Sequence, residues 1–185
     1  MKPKNQSMPL PDSQLKDARI AGLIVIGLLL FIFEAYLPRP VPWLKFGLAN
    51  IATILALYWM GWRAAVIVSL FRIVIGSFFT GNIFTPGFFL SLSGGIAAVS
   101  IMCILFQLKI FGLLTISIAG AAMHNTGQLL LAVFILFKNS ILWYLLPYLL
   151  LTAVFTGIVI GLFSKYLLKR IAEDFENGGV AENAE

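Results

Sequence analysis

Charged residues are scarce in this chain. Only 11% of its 185 residues are charged, whereas 60% are hydrophobic. Soluble globular domains carry about 25% charged residues, so the composition excludes a soluble domain. It predicts an integral membrane protein with lipid as its solvent.

Cysteine and catalytic motifs are scarce as well. Cys103 is the single cysteine, which excludes a disulfide within one chain and a thiolate metal cluster. The sequence has no Walker lysine motif, no paired aspartates, no zinc-ligand spacing and no nucleophile elbow. We therefore expect a chain that is not an enzyme, does not hydrolyse ATP by itself, and needs no metal and no cofactor.

The net charge of +5 does not indicate a nucleic-acid partner. The cations mostly flank apolar runs, and no basic stripe is interleaved with aromatic residues. Their distribution favours a role in orienting the chain in a membrane.

Six apolar runs follow one another along the chain, and a spanning helix needs about 20 such residues. Prolines at 38, 40 and 42 end the first run, Gly61 allows a tight turn, and Thr80 to Pro86 has the composition of a loop. The second run is short and predicts a helix tilted in thinner lipid. The predicted helices are Ile20 to Leu37, about Phe46 to Met60, Trp62 to Phe79, Gly87 to Leu108, Gly112 to Phe137 and Ile141 to Leu168.

The predicted architecture is an all-α bundle of about six transmembrane helices with both termini in the cytoplasm. Residues 1–17 form a polar leader, 18–170 the transmembrane domain, and 171–185 an acidic tail predicted to be disordered. No small-residue cleavage site follows the first run, so we interpret it as a retained helix. This orientation places nine cations inside and only Arg39, Lys45 and Lys138 outside, as the positive-inside rule requires. The inside set is Lys2, Lys4, Lys16, Arg19, Arg63, Lys109, Lys165, Lys169 and Arg170.

Two ionisable residues within the apolar runs are candidates for a site, because each costs about 2.5 to 3.5 kcal/mol or more at the bilayer centre unless it is paired or hydrated. Arg72 lies inside the third helix, where its guanidinium is suited to a carboxylate or phosphate. An ion pair with Glu34 is the structural alternative for Arg72. Glu34, near the end of the first helix, is either part of a site or an interfacial carboxylate that reaches water.

A second polar cluster lies on the fifth helix. His124, Asn125 and Gln128 are close together there, and such a cluster in hydrocarbon indicates either a ligand or water cavity or hydrogen bonds between helices. The predicted topology places the other polar candidates at a similar depth in the outer half, with His124 near the midplane. We therefore predict an outward-opening pocket, covered by the Thr80 to Pro86 loop and the proline-rich segment. Its candidate residues are Glu34, Lys45, Asn50, Arg72, Asn82, Ser91, His124, Asn125 and Gln128.

Pairs of small residues four apart predict close helix contacts. Ser91 with Gly95, Gly94 with Ala98, and Gly157 with Gly161 are of this kind. Ala18 and Gly22, at the start of the first helix, are candidates for docking a partner.

Four ordered segments resemble the Gx transporter family, also called heptaprenyl diphosphate synthase component I. They are Lys45 to Ile51, Leu70 to Ser77, Pro86 to Gly95 and His124 to Gln128, and the resemblance covers about Ile20 to Leu168. That family is similar to the S components of energy-coupling-factor transporters, which have six helices and an outward-facing pocket.

The resemblance implies a substrate-binding subunit in a bacterial plasma membrane. Such a subunit binds a small molecule from outside and topples when a transmembrane coupling protein and two cytoplasmic ATPases act on it. S components contact the coupling protein through small residues on the first helix, which correspond here to Ala18 and Gly22. The family name suggests an isoprenoid precursor or a quinone-related compound as substrate.

The enzymatic family name leaves a second hypothesis open. Prenyl chain elongation needs aspartate-rich motifs that hold magnesium and diphosphate, and this sequence has none. The alternative is therefore a membrane partner or scaffold of a separate prenyl diphosphate synthase.

Overall fold

The computed structural model describes residues 12–37 and 47–182, with side chains described for 14–37 and 47–173. Both ranges are almost entirely helical and contain no strand, so the all-α prediction is confirmed. A π-helical turn, Ala132–Leu136, continues the fifth helix, and a 3₁₀ segment, Ser140–Leu145, precedes the sixth. The helices are α1 (Asp12–Tyr36), α2 (Asn50–Met60), α3 (Trp62–Phe79), α4 (Pro86–Leu108), α5 (Leu113–Leu131) and α6 (Leu146–Glu182).

The predicted breaks between α2, α3 and α4 are confirmed. Gly61 has a φ of +89°, a left-handed conformation that suits glycine, and its amide donates to the Leu57 carbonyl at the end of α2. Thr85 caps α4, because its hydroxyl accepts a hydrogen bond from the Phe88 amide. Pro86 is the first residue of α4, where its missing N–H leaves no hydrogen bond unmade.

Two helices are longer than the sequence predicts. α1 begins at Asp12 and not at Ile20, because no proline or glycine interrupts the intervening polar residues and an aspartate suits the positive end of a helix dipole. α6 continues to Glu182, so the backbone is helical over most of the segment predicted as a disordered tail. Lys169 and Arg170 each lie within 4 Å of Glu173, which supports this extension. The domain limits themselves stay predictions.

The short helix α2 lies at the centre of the bundle. It contacts α1, α3 and α6, while α1 contacts α3, α3 contacts α4, α4 contacts α5 and α5 contacts α6. Every residue from Asn50 to Leu57 is buried. The shortness of α2 therefore reflects enclosure by the other helices, and the predicted tilt in thinner lipid is not needed to explain it.

In the part of the chain that the structure describes, five helical segments are long and apolar enough to cross a membrane, and α2 is too short. Large apolar side chains point outward from them, including Leu29, Phe78 and Phe155, which are 61%, 67% and 71% exposed. Apolar surface of this extent indicates contact with lipid. The chain is therefore a multi-pass membrane protein.

The two ends of the bundle differ in character. At the end where α1 begins, called the basic end here, Arg19 stacks on Trp59 and Arg63 stacks on Trp62, each 5.3 Å from the ring centroid. Tryptophan beside cations is typical of a membrane–water interface. An apolar core fills the adjacent half of the bundle and includes Ile54, Leu57, Val68, Met102 and Ile116. The opposite half contains the buried charged side chains of Glu34 and Arg72.

Candidate ligand-binding site

A small cavity lies inside the half of the bundle opposite the basic end, and we call it the polar cavity. Its walls come from α1, the turn before α2, α3, α4 and α5. The structure thus brings together four of the residues predicted from sequence: Glu34, Arg72, Ser91 and His124. Within residues 12–37 and 47–182, the lining residues are Phe31, Glu34, Gly47, Arg72, Ile73, Ser91 and His124.

Arg72 supplies the positive charge of the polar cavity. It is 3% exposed, and its Nη2 donates to Asn50 Oδ1 at 2.6 Å. The carboxylate of Glu34 lines the same cavity. A carboxylate and an amide oxygen thereby offset the cost of burying a guanidinium. The Nε of Arg72 has no hydrogen-bond partner among the described residues.

Glu34 supplies the negative charge. It is only 2% exposed, so the alternative in which this carboxylate reaches water is wrong. Its Oε1 accepts a hydrogen bond from the Gly47 amide, in the turn that leads into α2. Gly47 has a φ of +79°, a conformation that favours glycine, and this turn explains why α2 begins at Asn50 and not at Phe46.

His124 and Gln128 form a hydrogen-bonded pair one turn apart on α5. Their Nε2 atoms are 2.8 Å apart, and both side chains are buried. With the glutamine amide oriented in this way, Gln128 donates and the histidine Nε2 accepts, which places the proton of a neutral imidazole on Nδ1. The imidazole ring of His124 therefore lines the cavity in an orientation that the hydrogen bond from Gln128 holds.

Glycines allow the helices that carry these side chains to approach one another closely. A Cβ atom on Gly76 would lie 2.5 Å from the Phe31 ring, and one on Gly27 would lie 3.2 Å from Arg72 Cδ. A Cβ atom on Gly94 would lie 2.8 Å from both Gln128 Cγ and the His124 carbonyl oxygen. The small-residue pattern at Gly94 thus predicts a real contact between α4 and α5.

We expect Gly94→Ala to destabilise the protein by about 1 to 3 kcal/mol, the usual cost of overpacking a close contact. The added methyl group would push α4 away from His124 and Gln128. Thermal unfolding in detergent measures the effect, with Gly22→Ala as the control, since a Cβ there meets nothing within 4 Å. Equal melting temperatures for the two variants would contradict the close contact.

Two predicted site residues, Asn50 and Gln128, do not line the polar cavity but hydrogen-bond to Arg72 and His124, which do. Asn125 and Asn82 do not line it either. Asn125 donates from Nδ2 to the Leu149 carbonyl at 2.9 Å, a contact between α5 and α6. Asn82 is exposed and donates to the Thr80 carbonyl within its own loop. Lys45 and the proline-rich segment lie outside the described residues.

Sequence reasoning also missed part of the wall. Gly47 contributes a backbone amide, and Phe31 and Ile73 contribute apolar surface. Phe31 and Ile73 pack with Ala49 and Phe88 in one apolar cluster. A glycine near the start of the second predicted helix was the available signal for Gly47, while nothing distinguished Phe31 from the other phenylalanines.

The polar cavity is small. The space open to the centre of a water molecule is about 10 Å³, close to the least volume that holds one water. A ligand larger than water therefore requires part of the wall to move.

A second, larger space lies beside it and has a different character. This apolar groove, about 220 Å³ by the same measure, runs between the end of α1 and α6. Leu48 lines it directly after Gly47, which lines the polar cavity. The described residues that line it are Leu37, Leu48, Phe155, Thr156, Val159 and Ile160.

Comparisons with known proteins agree with this architecture. A family model described as heptaprenyl diphosphate synthase component I matches residues 23–167. A solved structure titled as the S component of a bacterial ECF transporter aligns with a TM-score of 0.68 and 19% sequence identity, covering 89% of this chain and 99% of that one. No curated protein matches significantly.

Proposed function

Because the chain belongs to the heptaprenyl diphosphate synthase component I family and shares its fold with an ECF transporter S component, we propose that it is a substrate-binding subunit for uptake of a small polar or anionic molecule across the cell membrane. The observation that carries this proposal is the buried guanidinium of Arg72 in a cavity whose walls come from four helices and the turn before α2. Structural packing alone does not require a charge there, because an apolar side chain would fill the space without the cost of desolvation.

The proposed binding residues are those that line the cavity or hold its lining in place. Arg72 binds an anionic or polar group, with Asn50 and Glu34 fixing the guanidinium. His124, held by Gln128, and Ser91 contribute further polar atoms. Lys45, Asn82 and Asn125 belong to the proposed site only if ligand binding rearranges the loops or α5.

The proposed topology has six spans, both termini in the cytoplasm and the polar cavity in the outer half. A cysteine at position 82, introduced into a Cys103→Ala background, is expected to react with an impermeant maleimide added to intact cells. A cysteine at position 63 is expected to react only after the membrane is permeabilised. The opposite labelling pattern would invert the proposed orientation.

Transport requires partners, and we propose a transmembrane coupling protein with two cytoplasmic ATPases. Ala18 and Gly22 support this, because both are exposed on α1 and a Cβ atom on Gly22 would meet nothing within 4 Å. A flat patch of small residues is suited to close contact with another helix.

Co-purification tests the partnership. The tagged wild-type protein is expected to retain a coupling protein and ATPases, and Gly22→Leu is expected to lose most of them because the side chain separates the two helices. Leu29→Trp, another exposed position on α1, is the control and should retain them. Equal recovery with both variants would remove Ala18 and Gly22 from the interface.

The family description favours a second candidate, a membrane partner or scaffold of a prenyl diphosphate synthase. The aspartates in the sequence are Asp12, Asp17 and Asp174, which cannot form an aspartate-rich magnesium site in one motif. A scaffold would bring down a prenyl synthase and no ATPase in the same purification. Native mass spectrometry of the purified chain would identify its ligand and test whether that ligand is related to isoprenoids or quinones.

A further inference from the structure

We propose that the ligand is an amphipathic anion, with its charged group beside Arg72 in the polar cavity and its apolar part in the apolar groove. This inference rests on the proposed function and narrows its substrate class. It follows from the character of the two spaces and from the thin wall between them.

The polar cavity has the chemistry needed to bind the charged group of the ligand. Arg72 is 3% exposed and lines the cavity, and its Nε has no hydrogen-bond partner among the described residues. A buried N–H of a guanidinium without a partner is costly and is relieved by an incoming acceptor. A carboxylate or phosphate oxygen is the acceptor that guanidinium binds most strongly.

The apolar groove fits a hydrocarbon group. Among the residues that the structure describes, its lining is aliphatic and aromatic apart from Thr156, and the hydroxyl of Thr156 already donates to the Thr152 carbonyl. The groove has about twenty times the volume of the polar cavity by the same measure. The greater part of a ligand seated across both spaces would therefore be apolar.

The two spaces share one wall. Gly47 lines the polar cavity and Leu48, the next residue, lines the groove. A Cβ atom on Gly47 would lie 3.1 Å from Asn50 Nδ2 and 3.9 Å from Ile160 Cδ1. The wall is therefore one backbone segment thick, with a glycine between the polar side chains and the groove.

The hydrogen bond between Gly47 and Glu34 holds this wall in place, and it also connects the wall to the site of the ligand charge. The Gly47 amide donates to Glu34, and Glu34 lines the same cavity as Arg72. A ligand anion beside Arg72 competes with Glu34 for the guanidinium, and repulsion between the two anions favours withdrawal of the carboxylate from the cavity. Movement of the Gly47 turn then joins the cavity to the groove.

Binding of three probes to the full-length protein in phosphatidylcholine nanodiscs tests this inference. The probes are methyl phosphate, pentyl phosphate and 1-pentanol, and titration calorimetry gives their affinities. We expect pentyl phosphate to bind at least tenfold tighter than methyl phosphate, because four further methylene groups leave water, and 1-pentanol to bind weakest. Arg72→Gln should lose both phosphates.

Variants of α6 locate the apolar part. Val159→Trp fills the groove and should reduce the difference between the two phosphates to less than threefold, and Thr156→Phe should do the same if the first variant does not fold. Leu151→Trp, at an exposed position on the same helix that does not line the groove, should keep the full difference.

The outcomes separate the two proposals. Equal affinities for methyl and pentyl phosphate, both lost in Arg72→Gln, would overturn the amphipathic ligand and leave an anion site intact. Binding of 1-pentanol as tightly as pentyl phosphate would overturn it too, since the groove would then take neutral apolar molecules. Absence of phosphate binding in the wild type would count against Arg72 as an anion anchor and so against the proposed function.

Discussion

Arg72→Gln is expected to lower the free energy of unfolding by about 3 to 5 kcal/mol, because it leaves the Glu34 carboxylate buried without a counter-charge. It is also expected to lower affinity for an anionic ligand by about 10- to 150-fold, the equivalent of a lost hydrogen bond to a charged group. Thermal unfolding in detergent measures the first effect. The amount of co-purifying ligand in native mass spectra measures the second.

A double variant separates charge from packing. Glu34→Gln/Arg72→Gln removes both charges, keeps an amide oxygen that accepts from the Gly47 amide, and should be more stable than Arg72→Gln alone. Its ligand affinity should stay low, because the guanidinium is still missing. If the double variant is less stable than Arg72→Gln, the charges of Glu34 and Arg72 do not stabilise each other.

His124→Ala is expected to weaken ligand binding by about 5- to 100-fold. The change removes one wall of the polar cavity and leaves the Gln128 amide buried without its partner, which costs about 1 to 3 kcal/mol. Ligand retention in native mass spectra, compared at equal protein concentration, measures this effect.

Ser140→Ala is the matched control for this variant. Ser140 is exposed at the start of the 3₁₀ segment and does not line the polar cavity, so its replacement should leave ligand retention unchanged. Equal losses from His124→Ala and Ser140→Ala would show that the binding site lies elsewhere.

The sequence predicts the helices well because hydropathy and breaking residues determine them. Gly61 and the Thr80 to Pro86 segment interrupt the apolar runs, so the helices end there. The predicted start of α1 was wrong, because hydropathy marks where the lipid-facing part of a helix ends and not where the helix itself ends. Polar residues from Asp12 onward continue the helix beyond the apolar run.

The site was predictable in part. Polar residues at one depth on separate helices must meet inside the bundle, and this reasoning finds Glu34, Arg72, Ser91 and His124. It does not determine which way each side chain turns. Asn125 is adjacent to His124 but turns towards the Leu149 carbonyl of α6, and the backbone amide of Gly47 carries no side-chain signal at all.

Because other helices enclose α2, its length is independent of the thickness of the membrane. Its eleven residues extend about 16 Å, roughly half of a hydrocarbon core of about 30 Å. Bilayer thickness constrains the five lipid-facing segments, but it sets no requirement on a helix that protein surrounds. The position of Asn50, which holds Arg72 through a hydrogen bond, is thus set by the helices packed around α2 and not by the thickness of the membrane.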